Sequence, residues 1–212
     1  MSAAVHELDG HRVEVSNPDK VLFPEDGITK RDLADYYARI APTALPHYRD
    51  RPVTMQRFPD GIDADGFFHK NAPDHFPDWI RRAELPKADG TVRHVVADSA
   101  ATLVYLADQG CITPHVGVAR IDRPGRPDRL IFDLDPSDED FSKVQEVAAA
   151  IRDRLAAHDL PAFVQTTGSR GLHIAIPLQR TLDFEPLRRA MRRLAARIAE
   201  AHPDLATVEQ RK

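Results

Sequence analysis

Cysteine is nearly absent from this 212-residue chain, since Cys111 stands alone. A single thiol can neither close an internal bridge nor build a Cys-rich zinc site, so a reducing, cytoplasmic setting is expected. Long apolar runs are missing too. No stretch approaches the roughly 20 apolar residues that span a bilayer, and the opening residues carry no apolar signal segment. Export and membrane insertion are therefore not expected. An excess of one charge is also lacking, because 29 Lys plus Arg stand against 33 Asp plus Glu for a formal net charge of -4. That balance argues against a protein that coats nucleic acid by bulk attraction. It leaves room for a local basic groove, because the field at a site depends on how charges are distributed.

Proline is plentiful, with 17 residues spread along the chain, so many short elements joined by fixed turns are expected. A chain of this length buries roughly 70 % of its unfolded surface, enough for a core without staples. No repeat, low-complexity tract or linker is visible. The spacing predicts a helix over residues 30–40, with Thr29 as N-cap, Asp32 three residues on, an apolar stripe of Leu33, Tyr36, Tyr37 and Ile40, and Pro42 as its end. Strands are predicted at 52–58, around Phe67 and Phe68, and at 92–97. A helix capped by Asp98 or Ser99 follows and is closed by Gly110, and a strand runs from Pro114 to about residue 120.

The second half is more regular. Strand 130–135, helix 141–157, strand 162–166, strand 172–177 and helix 184–201 give the order β-α-β-β-α. That order matches most of a split βαβ unit, with helices on one sheet face and the other face open. The open face is where a site is expected.

In Arg129-Leu130-Ile131-Phe132-Asp133-Leu134-Asp135-Pro136, strand alternation sends both carboxylates to the same face. Like charges at i and i+2 repel unless a proton or cation intervenes, and hard divalent ions such as Mg²⁺ or Mn²⁺ prefer carboxylate oxygens. Their Cα separation of roughly 6.5–7 Å lets the oxygens converge on two ions ~3.5–4 Å apart. Pro136 ends the strand and leaves both acids at its C-terminal mouth. On this pattern alone they can equally be solvent-facing residues of a one-sided strand.

The segment Thr166-Thr167-Gly168-Ser169-Arg170-Gly171-Leu172-His173-Ile174 joins two predicted strands through a turn with two glycines, hydroxyls and a guanidinium. Such a turn can aim backbone N–H groups, Ser169 Oγ and Arg170 at phosphate oxygens, or it can be a hairpin using glycine for its geometry. If Leu172, Ile174 and Ile176 join the helix-packed side, His173 shares the open face with the aspartates. Metal carboxylates, a phosphate turn and a histidine on one surface are the equipment of phosphoryl or nucleotidyl transfer.

F-D-L-D-P followed by T-G-S-R-G-L-H-I resembles the first two catalytic motifs of the archaeo-eukaryotic primase superfamily, and more narrowly the polymerase domain of bacterial ligase D. The likeness extends through N-P-D-K-V-L-F-P at residues 17–24, T-K-R-D-L at 29–33, R-F-P-D-G at 57–61, F-F-H-K at 67–70 and D-S-A-A-T-L at 98–103. The resemblance implies an α+β, primase-like fold. A split βαβ (RRM-like) catalytic half, about 126–212, and an N-terminal α/β half, about 1–125, would surround one cleft.

The resemblance further implies template-directed nucleotidyl transfer in non-homologous end joining of DNA double-strand breaks, filling gaps and extending ends with a preference for ribonucleotides. Asp133 and Asp135 would hold two Mn²⁺ or Mg²⁺ ions, with His173 as the third catalytic residue. Ser169, Arg170, His173, His115 and Arg57 would contact the NTP or dNTP. Lys20 and Lys30 match a basic pocket for the downstream 5′-phosphate of a gap, and two lysines near a helix N-terminus suit such a group. Phe67, Phe68 and Lys70 would face DNA, where base stacking is worth about 1–3 kcal/mol per base. Because consecutive strand residues point to opposite faces, at least one of the two phenylalanines is expected in the core. Primer-template, gapped or broken DNA, Ku, and ligase or nuclease domains are the implied partners, and the bacterial nucleoid the implied location.

The match breaks in two places. The family pattern carries a third metal carboxylate after a basic stretch like Glu209-Gln210-Arg211-Lys212, and the sequence stops at Lys212. The expectation is a fragment of a longer polymerase whose C-terminal part is lacking. Gln56 stands where some relatives carry a lysine. Two rivals follow: a DNA-end-binding module that keeps the 5′-phosphate pocket with impaired turnover, and a phosphatase of the haloacid dehalogenase type, which also opens on a hydrophobic strand and D-x-D. The phosphatase leaves G-S-R-G-L-H unexplained.

Overall fold

The computed structural model describes residues 4–208. Glu209, Gln210, Arg211 and Lys212, the basic stretch named above, lie outside the described residues. The chain divides into two compact units, residues 1–122 and 123–212.

The first unit opens with a hairpin of β1 (Ala4–Leu8) and β2 (His11–Val15), paired antiparallel. Its two-residue connection, Asp9-Gly10, has φ of 52° and 78°. Both angles are positive, as the tight turn that matches strand twist requires. Short strands β3 (Val21–Phe23) and β4 (Ile28–Thr29) lead into helix α1 (Lys30–Tyr48). Thr29 and Asp32 form the expected capping box, each side chain receiving the other's backbone N–H.

Helix α1 runs well past Pro42, contrary to expectation, with Pro42 and Pro46 both inside it. The two prolines lie four residues apart on the exposed side. The hydrogen bonds they delete are therefore lost where water can replace them. The opposite face, with Leu33, Ala34, Tyr37 and Ala41 buried, holds the helix against the core.

An antiparallel sheet is centred on β5 (Pro52–Arg57), which pairs with β6 (Phe67–His69), β8 (Gly90–Val96) and β9 (Cys111–Val116), while β7 (Arg82–Lys87) pairs with β8. Strand β9 begins at Cys111, earlier than expected, because Gly110 ends helix α2 (Ala100–Asp108) and β5 offers a partner at once. Ser99 caps α2 by accepting the Thr102 N–H. One sheet face, with Val53, Met55 and Val95, is fully buried in a core that includes α1 and α2 residues. The other face carries Thr54, Gln56, His94 and His115.

The second unit contains β10 (Arg129–Leu134), α3 (Phe141–Ala156), β11 (Phe163–Thr166), β12 (Leu172–Pro177) and α4 (Phe184–Ala201). The strands form an antiparallel sheet in the order β10-β12-β11. Ile174 and Ile176 pack with Val147, Ile151, Leu155 and Ile198, and Leu130, Phe132 and Leu134 add to that cluster. This face is the helix-packed one, so the alternate residues of the three strands stand on the open face.

Candidate active site and nucleic-acid surface

Strand register builds the centre of the second unit. Asp133 lies directly opposite His173, which in turn lies opposite Gln165. Directly opposed side chains share one face of a sheet, and His173 Nε2 stands 3.2 Å from Asp133 Oδ1. Asp133 is exposed, and His173 is less so. Asp135 follows the last residue of β10 and is also exposed.

Residues 167–171 close the turn between β11 and β12. Thr167 Oγ1 accepts the Gly171 N–H at 3.1 Å and donates to the Gly171 carbonyl at 3.2 Å, while the Thr167 N–H also reaches that carbonyl. Ser169 and Arg170 project from this closed loop into solvent. The nearby acids are committed elsewhere, since Asp138 pairs with Lys143 and Asp140 caps α3. The Lys143 ammonium holds the Asp138 carboxyl below its ordinary range. A second acidic pair of the kind a dehalogenase-type phosphatase uses is thus not on offer from this run.

In the first unit, His115 Nε2 lies 2.8 Å from Gln56 Oε1, and its ring is 5.3 Å from that of Phe68. His115, His94, Lys70, Lys87, Asn71 and Thr54 help line a groove of about 750 Å³ on the open sheet face. None of its lining residues is acidic. Arg57 points elsewhere: its Nε donates to the Gln109 carbonyl at 2.8 Å, a terminal nitrogen meets His69 Nδ1 at 3.3 Å, and the guanidinium lies 5.5 Å from the Phe67 ring centre. Both phenylalanines are exposed, Phe67 at 46 % and Phe68 at 62 %. The expectation that one would be core is corrected. β6 is a three-residue strand paired only with β5 among the described residues, so neither of its faces is fully covered.

The two lysines differ. Lys20 is exposed and pairs with Asp60 at 2.9 Å. Lys30 is buried, with its ammonium 2.8 Å from Asp108 Oδ1 and 2.9 Å from Ser16 Oγ. The first amides of α1 are also occupied, Lys30 N–H by the Lys20 carbonyl and Arg31 N–H by that of Pro18.

A family model described as LigD, primase-polymerase domain, matches residues 29–212. The chain belongs to this family. The multifunctional non-homologous end joining protein LigD of Mycobacterium bovis is 38 % identical over 205 residues, which cover 92 % of this chain and 27 % of that protein. The bifunctional non-homologous end joining protein LigD of Bacillus subtilis is 29 % identical over 201 residues, covering 94 % and 32 %. The chain thus spans about a quarter to a third of these relatives. A solved structure of the polymerase domain from Mycobacterium tuberculosis ligase D in complex with DNA matches with a TM-score of 0.87 and 37 % identity, over 94 % of this chain and 72 % of that one. The expected α+β, primase-like architecture is that of the LigD polymerase domain.

Within this LigD primase-polymerase chain, the fit of divalent ions rests on two exposed carboxylates. Asp133 and Asp135 offer hard oxygen donors suited to Mg²⁺ or Mn²⁺. Among the described residues no group of three His, Cys, Asp or Glu side chains is placed to hold a metal. An ion here would therefore complete its shell with water or substrate phosphate, which Mg²⁺ commonly does. His94, Lys87 and Asn71 of the groove were not legible as site residues. His94 shares its strand register with Val92 and Val96, so alternation assigns it to an apolar face rather than to an open one.

Proposed function

We propose that this chain is the nucleotidyl-transferring module of a bacterial end-joining protein, extending DNA ends and filling gaps by template-directed addition of nucleotides, with ribonucleotides preferred. The observation that carries this reading is the pairing of Asp133 with His173 on an open sheet face, with Asp135 and the 167–171 turn beside it. Asp133 and Asp135 would hold one or two Mn²⁺ or Mg²⁺ ions. Bound there, the ions supply Lewis-acid stabilisation of charge on the transferring phosphoryl group.

The chain's own groups orient the reactants. Ser169 and Arg170 present a hydroxyl and a guanidinium to triphosphate oxygens, and charge-assisted contacts of that kind are the strong ones. His173 Nε2, held beside Asp133, can donate to a phosphate oxygen once a cation takes the carboxylate. In the first unit, His115, Lys70 and the groove around them suit a phosphate backbone, and Phe68 offers a stacking face. Lys20, exposed, is the better placed of the two lysines to read a 5′-phosphate, since the Lys30 ammonium is held by Asp108 and Ser16. Ku, and ligase or nuclease domains, are the partners in this reading, and the nucleoid is its place of action.

A second reading, end binding with impaired turnover, is favoured by the fact that no group of three metal-ligating side chains occurs among the described residues. Extension of a gapped, 5′-phosphorylated duplex with Mn²⁺ decides between them. The polymerase reading expects extension, and at least a ~100-fold loss in Asp133→Ala and Asp135→Ala with gapped-DNA affinity kept. Binding without extension selects the end-binding module, and retained extension by both variants removes the site assignment.

A further inference from the structure

The two glycines of the 167–171 turn have different physical reasons to be glycine. Gly168 has φ of +81°, in the left-handed region, and a Cβ added there meets nothing within 4 Å. It serves backbone conformation. Gly171 is buried, and its φ lies outside that region. A methyl group added to it would sit 2.5 Å from the Leu134 carbonyl oxygen and 3.1 Å from Asp135 Oδ1. Here glycine is required for space, and what fills the space is the end of β10 and one of the two carboxylates.

The backbone of the same residue is tied to the phosphate turn. Gly171 N–H donates to Thr167 Oγ1, its carbonyl accepts from Thr167 N–H and Oγ1, and Thr167 Oγ1 lies 3.4 Å from the Ser169 N–H. One residue therefore leaves, by having no side chain, the room that the Leu134 carbonyl and the Asp135 carboxylate occupy on one side, and braces the Ser169 loop on the other. We infer that Gly171 is a positioning residue which sets the distance between the cation-binding carboxylates and the triphosphate-binding turn. This deepens the proposed function and rests on its assignment of Asp133 and Asp135 to divalent ions.

Any side chain at Gly171 must push against backbone, because the Leu134 carbonyl is not the yielding end of a flexible side chain. The displacement moves Asp135 away from the turn, with Asp133 less affected because its register to His173 lies further along β10. Disturbing groups that orient a metal ligand commonly weakens metal binding 10–100-fold.

The test is Mn²⁺ alone, titrated into the full chain and followed by electron paramagnetic resonance. Gly171→Ala is expected to weaken Mn²⁺ binding by ~10-fold or more, while Gly168→Ala, which strains the same turn without approaching the carboxylates, keeps wild-type affinity. Gly171→Ala that is folded by circular dichroism and binds Mn²⁺ as wild type does overturns the inference. Should Gly171→Ala not fold, Mg²⁺ titration of the wild-type chain by ¹⁵N NMR decides the matter. The Gly171 and Asp135 amides are expected to shift with one shared half-saturation while Gly168 stays still, and an unmoved Gly171 amide overturns the inference. Unchanged Mn²⁺ affinity in both Asp133→Ala and Asp135→Ala is a different result, since it removes the metal reading itself.

Discussion

Lys30 and Asp108 face each other at 2.8 Å, both nearly out of solvent, across the junction of α1 and α2. Asp108 is the last residue of α2, where the helix dipole disfavours a carboxylate. Its Oδ1 is compensated by three donors, the Lys30 ammonium and the N–H and hydroxyl of Ser16. Removing one partner of a buried pair strands the other, so Lys30→Ala is expected to destabilise the protein by about 3 kcal/mol or more. Lys20→Ala breaks only an exposed pair and should cost under about 1 kcal/mol. Chemical denaturation of the two variants checks the difference. It follows that Lys20→Ala is the cleaner probe of 5′-phosphate recognition, with binding compared on gaps carrying and lacking that phosphate. Equal weakening on both would make Lys20 a general backbone contact.

Phe68 is expected to act on DNA and not on folding. At 62 % exposure it contributes little to the core, yet it stands against the His115 ring at the groove. Phe68→Ala should weaken gapped-DNA binding by about 1–3 kcal/mol with an unchanged melting temperature. A lowered melting temperature with unchanged DNA affinity would assign the ring to packing.

Acid sensitivity is expected from His69. Burial, and after it the Arg57 guanidinium, hold this imidazole below its ordinary range. Arg57 can only donate, so Nδ1 must be the unprotonated acceptor in their contact. Because the folded-state value is the lower one, the unfolded chain takes up the proton first as pH falls. Stability is therefore complete above the ordinary imidazole range and declines below it. His69→Gln should flatten the fall in melting temperature between about pH 7 and 5. An unaltered profile would place the acid sensitivity in another group.

Helix α1 offers a test of backbone cost. Pro42 deletes a hydrogen bond on the exposed side of a helix that continues beyond it. Pro42→Ala restores the donor, and after allowing for a looser unfolded chain it should stabilise by about 1–2 kcal/mol. Urea unfolding of that variant measures the gain, and a loss would mean that the proline bends α1 to fit α2.

Much of the architecture could be read before the fold was known, where local signals and packing agree. The Thr29–Asp32 capping box, the apolar alternation of β10 and β12, and the heptad-like pattern of α4 are strong because neighbours in sequence settle them. The β1–β2 hairpin is equally written, in Asp9-Gly10 between two alternating runs. The end of α1 is not legible locally, because proline is a local stop signal whereas the buried face that carries the helix on is a tertiary fact. In the site, alternation put Asp133 and His173 on one face. Which lysine is buried was invisible, because Asp108, which decides it, lies far along the chain. The exposure of both Phe67 and Phe68 depended likewise on β6 being a short strip at the sheet margin.

Strand β10 is paired with β12 on one side, and among the described residues no strand pairs with its other side. Six residue pairs of one ladder therefore hold the strand on which Asp133 rides. Amides of β10 that point away from β12 should exchange with deuterium quickly while their neighbours resist. Any backbone that zipped along that margin would stiffen the support on which Asp133 rides.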